Sequence, residues 1–147
     1  MNLDAGIVSD ITLVTFAAAA AFIDIRIRKI PDLLVLTATA AGIVFLFADR
    51  DRGWVDGLTG GVTAGLALLL VHWLTRDGLG LGDVKLFGCS GIYLGLEGVL
   101  SAMMTAVVLS GICSLVLVCI NRENRKREIP FAPFILAGIL EAVLFHT

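Results

Sequence analysis

The chain has 147 residues, 58% hydrophobic and 16% charged, with a mean hydropathy of +0.95. A soluble domain of this size cannot bury so much apolar surface, so a lipid bilayer is its expected solvent. The net charge of −2 and the lack of any basic cluster with interleaved aromatics give no sign of a nucleic-acid partner.

Six apolar stretches, at 6–24, 32–48, 56–74, 84–97, 99–120 and 131–146, are separated by charged or glycine-rich punctuation. Most suit a spanning helix, which needs about 20 residues with a range of ~17–25. The pattern predicts an all-α, polytopic membrane protein of six transmembrane helices forming one domain over 1–147. The small residues Ala17 to Ala21 imitate a signal-peptide cleavage site. The first ten residues, however, hold Asp4 and Asp10 and no Lys or Arg, where a signal peptide wants a positive start. The first stretch is therefore expected to stay as a membrane helix.

Pro31 and Pro130 each follow an isoleucine after a basic loop and are expected to open helices, because the first turn has no use for the missing N–H. Trp54 and Trp73 bracket the third helix as an aromatic belt would. Gly57, Gly61 and Gly65 on that helix, and Gly91 and Gly95 on the next, have the small-xxx-small spacing that lets backbones pack closely in lipid. The fourth stretch, 84–97, reaches only about 21 Å against ~30 Å of hydrocarbon, which places Asp83 below the membrane surface.

Nine of the eleven Lys and Arg residues fall in the loops after helices 1, 3 and 5: Arg26, Arg28 and Lys29, then Arg76 and Lys85, then Arg122, Arg125, Lys126 and Arg127. Only Arg50 and Arg52 fall on the other side. The positive-inside rule makes the nine-charge side cytoplasmic, with both termini outside. Asp24 and Asp83 then share the cytoplasmic face.

Cys89, Cys113 and Cys119 are odd in number, lie in apolar stretches and lack Cys-x-x-Cys spacing, so neither a disulfide framework nor a zinc site is indicated. No metal or cofactor is expected. His72 reads as interfacial and His146 as external; they form no ligand pair and no nucleophile–base arrangement. Gly82 is followed by Asp83 and not by the Lys-Ser/Thr of a phosphate loop.

Acids within or beside membrane helices are costly and mark functional positions. Asp4, Asp49, Asp51 and Asp56 read as solvated outside, Asp77, Glu123 and Glu128 as solvated inside, and Asp10 and Glu97 as solvated at outer boundaries. Glu141 reads as interfacial or as a packing residue. Asp24 and Asp83 remain. Asp83 stands directly behind Gly80-Leu81-Gly82, a bare backbone open to close approach and to unusual dihedral angles. If helices 1 and 4 pack together, two such carboxylates can share one proton and act as base and acid on a peptide bond. Spacing and topology leave other readings open: unrelated interfacial aspartates, a proton- or cation-coupled transporter, or a non-catalytic scaffold of a secretion assembly.

Three patches resemble the type IV prepilin peptidases, membrane aspartic proteases of the Gly-x-Gly-Asp type. Asp24-Ile25-Arg26-Ile27-Arg28-Lys29-Ile30-Pro31 is similar to Asp-x-Arg-x-x-x-Ile-Pro-Asn. Gly80-Leu81-Gly82-Asp83-Val84-Lys85-Leu86, continued by Gly91 and Leu94-Gly95, is similar to the second-aspartate motif. Ile129-Pro130-Phe131-Ala132-Pro133-Phe134 resembles Ile-Pro-Phe-Gly-Pro-Phe. The resemblance implies cleavage of a short basic leader from prepilins or pseudopilins, after a glycine and before a hydrophobic helix, at the cytoplasmic face of the inner membrane. It puts Asp24 and Asp83 at the catalytic positions, gives Gly80 and Gly82 the role of admitting substrate backbone, and assigns Arg26, Pro31 and Lys85 supporting places. Asp32 departs from the pattern by standing where asparagine is usual. The larger bifunctional members carry an added cytosolic domain and N-methylate the new terminus; the short loops expected here point to a peptidase without that activity, like the stand-alone members of tight-adherence (Flp) pili.

Overall fold

A computed structural model describes residues 3–48, 53–75, 79–120 and 129–146. It is helical throughout, with no strand among the described residues. The helices are α1 (Leu3–Ile27), α2 (Asp32–Ala48), α3 (Trp54–Leu74), α4 (Leu81–Ile120) and α5 (Ala132–His146). The loop charges expected at 49–52, 76–78 and 121–128, and the side chains of Asp4 and His146, lie outside the described residues.

Within the described residues, Ala5–Ile27, Trp54–Leu74 and Leu81–Ile120 are long and apolar enough to cross a membrane, while Asp32–Ala48 and Ala132–Phe145 are shorter apolar helices. Large apolar side chains such as Ile11, Phe22, Leu36, Phe47, Leu66 and Leu115 point outward on all but the last helix, where Leu144 and Phe145 do so. A surface of this kind suits lipid, in which each helix satisfies its own backbone polar groups. The chain is a helical membrane protein.

The 40 residues of α4 would run ~60 Å as one straight helix. They do not. At Gly95 the backbone leaves helical geometry, with φ 72° and ψ −175°, dividing the run into segments 81–94 and 96–120. The sequence predicts this break, but three residues later, between 97 and 99. It falls at Gly95 because that residue can adopt positive φ without a Cβ clash, and because Asp56 of α3 accepts a hydrogen bond from the Leu96 N–H, 3.2 Å. Asp56 is thus a cap for the second segment of α4, and not the solvated end that its position at the start of α3 suggests.

The core is built largely from small residues: Ala17 and Ala20 on α1, Ala38 on α2, Ala64 on α3, Ala102 and Ala106 on α4, Ala142 on α5. The closest seam joins α3 to the first segment of α4. A Cβ on Gly60 would sit 2.6 Å from the Gly95 carbonyl carbon, and one on Gly61 3.0 Å from the Gly88 carbonyl oxygen. The glycine spacing in the sequence anticipates this seam but misses Gly60, which with Gly91 makes its tightest contact. A second close crossing brings Gly138 of α5 against the Ala102 carbonyl. One turn further along, Glu141 Oε2 accepts from the hydroxyls of Ser101 (2.9 Å) and Thr105 (3.3 Å), so Glu141 serves the α4–α5 seam. Asp10 is also buried, contrary to its expected solvation: it lies about two turns inside α1, on a face that packs within the bundle.

Pro31 opens α2 as the sequence places it, whereas Pro130 stands outside the first turn of α5. The Pro31 carbonyl accepts the Leu34 and Val35 N–H groups. Pro130 lies two residues before α5, whose first-turn acceptor is the Phe131 carbonyl.

Candidate active site

Asp24 sits one turn before the end of α1. That helix stops at Ile27, and Arg28 then takes a left-handed conformation, φ 55°, while its N–H still bonds the Asp24 carbonyl at 2.8 Å. A non-glycine residue at positive φ is uncommon; here it turns the chain sharply, so that Lys29, Ile30 and Pro31 lead straight into α2. Asp24 is 8% exposed, and its Oδ2 accepts a hydrogen bond from the Ala132 N–H, 3.2 Å. That donor is the first N–H of α5, one of the groups a helix cannot satisfy internally, and Pro133 offers none beside it. Phe131 meanwhile packs against the buried Phe87 of α4, ring centroids 6.4 Å apart. The third sequence motif therefore locks the start of α5 between Asp24 and α4.

Asp83 lies in the first turn of α4. Gly80 caps that turn, its carbonyl accepting from the N–H groups of Asp83 (3.1 Å) and Val84 (3.3 Å). His72, read from sequence as interfacial, holds the approach: its Nδ1–H donates to the Leu79 carbonyl, 2.6 Å. Gly80 and Gly82 are not at positive φ, so the expectation of unusual dihedral angles there does not hold. They matter as absent side chains. A Cβ on Gly82 would meet the Ile30 Cβ at 3.1 Å, and one on Gly80 would meet Asp83 Oδ2 at 3.2 Å. The protein's own Ile30 and Asp83 thus occupy the space beside these glycines. Gly80→Ala is accordingly expected to push the Asp83 carboxylate aside and lower turnover on the order of tenfold with the fold intact, measured as kcat in a cleavage assay.

Both acids line one cavity of about 280 Å³ at the ends of three helices. The end of α1 and the turn after it supply Asp24, Arg28, Lys29 and Ile30, α2 supplies Asp32, and the start of α4 with its approach supplies Gly80, Leu81, Gly82, Asp83 and Lys85. The α1–α4 packing that the sequence argument supposed is present but minor. Helix α4 packs mainly on α3 and α5, and α1 reaches it through a small contact. Lys85 Nζ spans the mouth to Asp32 Oδ1, 2.7 Å.

Two expected supporting residues stand apart from the cavity lining. Arg26 extends over the Phe22 ring, 4.7 Å from its centroid, and Pro31 serves the start of α2. Arg28, Lys29, Ile30 and the Ala132 N–H were not singled out from sequence. The first two are visible there as topology-setting charges, whereas the backbone donor has no sequence signal beyond the proline-rich motif around it.

A helical membrane protein with two carboxylates converging on one cavity defines a class with the layout of a membrane aspartic hydrolase. The family is shown by comparison: residues 11–118 match the model of the type IV leader peptidase family, and the chain belongs to that family. It is 30% identical over 136 residues to the prepilin leader peptidase/N-methyltransferase of Bacillus subtilis (strain 168), covering 92% of this chain and 54% of that protein. Similar proteins of the same name occur in Dickeya chrysanthemi, 29% identical over 135 residues (88% and 47%), and Pectobacterium carotovorum subsp. carotovorum, 24% identical over 131 residues (86% and 47%). The chain spans about half the length of the curated relatives it matches. No solved structure matches it.

Proposed function

We propose that this chain is a prepilin leader peptidase, an aspartic endopeptidase that hydrolyses the bond after the leader glycine of a type IV prepilin or pseudopilin. The observation carrying this reading is that Asp24 and Asp83, from separate motifs, line the same cavity. One carboxylate, ionised, takes a proton from a water whose oxygen attacks the scissile carbonyl. The other, protonated, donates to the carbonyl oxygen as the tetrahedral intermediate forms. Collapse of that intermediate breaks the C–N bond: the proton held by the base passes to the leaving amine, and a hydroxyl proton of the intermediate returns to the other carboxylate. Only the peptidase half of the relatives' name is extended to this chain.

The chain crosses the bacterial inner membrane six times in this reading, with α4 supplying two crossings on either side of Gly95. Both termini face outward and the cavity opens to the cytoplasm. The positive-inside distribution and the cluster of Arg28, Lys29 and Lys85 at the cavity support that orientation.

The test is cleavage by the purified protein in lipid of a peptide carrying a basic leader, a glycine and a hydrophobic segment, followed by mass spectrometry. A single cut after the glycine is expected. Intact peptide accompanied by peptide-dependent proton flux into liposomes would replace the peptidase with a transporter.

A further inference from the structure

The cavity holds one acid that the proposed dyad does not use. Asp32, at the head of α2, has a side chain 80% exposed at the cavity mouth and is paired across that mouth with Lys85, itself 48% exposed. An ion pair so open to water contributes about 0–1 kcal/mol, so another cation can displace Lys85 at little cost. Arg28 and Lys29 also line the cavity and bring positive charge to it, so a basic side chain finds its partner at a carboxylate. Asp24 is buried against the Ala132 N–H and Asp83 lies behind Gly80, which makes Asp32 the outermost carboxylate that an arriving peptide meets. We propose that Asp32 is the specificity-determining residue of this site: it reads a Lys or Arg side chain on the leader side of the scissile bond by exchanging its bond to Lys85 for one to the substrate.

This exchange rests on the peptidase reading and deepens it. It accounts for how a face rich in Arg and Lys receives a basic segment: the incoming cation replaces a resident one at the carboxylate that both can pair with. It also links recognition to the catalytic end, since Lys85 lies two residues beyond Asp83 at the start of α4. Asp32 acts on the bound peptide's side chain and not on the reacting bond, so its effect belongs in KM.

The experiment compares two peptides differing only in leader Lys/Arg against Gln. Binding is measured to Asp83→Asn protein with and without Asp32→Asn, and cleavage to the natural chain, Asp32→Asn and Asp32→Glu. The natural residue 32 is expected to favour the basic peptide roughly two- to fivefold in affinity, the range of an exposed ion pair, with the preference shrinking as salt rises. Asp32→Asn should erase that preference by raising KM for the basic peptide alone with kcat nearly unchanged, and Asp32→Glu should restore it. An equal change for both peptides, or a preference surviving Asp32→Asn, would overturn the proposal and leave Asp32 as a partner for Lys85 only. An Asp32-dependent binding preference without cleavage of either peptide would overturn the peptidase reading and uphold the recognition role.

Discussion

Asp24→Asn and Asp83→Asn are each expected to lower leader cleavage by at least ~10³-fold, because a dyad with one member neutralised cannot hold both a base and an acid. Asparagine nearly matches aspartate in volume. At position 24 its side-chain carbonyl can still accept the Ala132 N–H that Asp24 Oδ2 accepts, so the anchor of α5 survives. The variants should keep the thermal stability of the natural protein, which separates lost chemistry from lost folding. The double variant should be no slower than the slower single one, since groups acting as a unit do not lose activity additively. Activity surviving either single substitution, in folded protein, would remove that aspartate from the reaction.

Gly95→Ala is expected to have the largest effect on stability. The residue sits at φ 72° and ψ −175°, a region essentially reserved for glycine, where an L side chain costs about 1–3 kcal/mol. Its new Cβ would point into the Asp56 carboxylate, adding about 1–3 kcal/mol of overpacking. The clash also dislodges the cap that Asp56 provides to the Leu96 N–H. Strain and overpacking together predict a loss of ~2–6 kcal/mol, read from reversible unfolding in mixed micelles. Asp56→Ala removes the cap alone and should cost about 0.5–2 kcal/mol. In the double variant the methyl group added at position 95 no longer meets the carboxylate, so the combined loss should fall short of the sum. If Gly95→Ala costs no more than Asp56→Ala, the bend in α4 does not depend on glycine. The first segment of α4 carries Asp83 at its far end, so a variant that straightens the bend should also lose cleavage.

The membrane class of this protein and its two principal acids are determined by the sequence alone. Transfer to lipid is a sum over side chains, so composition reports it without knowing where any residue points. The cost of an acid beside an apolar helix is likewise local, and with the glycines before Asp83 it makes Asp24 and Asp83 the candidate pair. Helix periodicity also exposes the glycine seam between α3 and α4, because residues four apart share a face whatever they pack against.

Partnerships were decided only by the tertiary structure. Asp10, Asp56 and Glu141 look alike when each acid is judged by its distance from a helix end. Folding buries the first, makes the second a cap for α4 and bonds the third to Ser101 and Thr105. The Ala132 N–H that holds Asp24 belongs to a backbone, which every residue but proline possesses. Asp32 and Lys85 are 53 residues apart in the chain, and the cavity they bridge exists only where the ends of α1, α2 and α4 converge. Hydrogen bonds and ion pairs act over a few ångströms of space, so a one-dimensional pattern can show which residues need a partner, whereas the packing of the helices determines which partner each one finds.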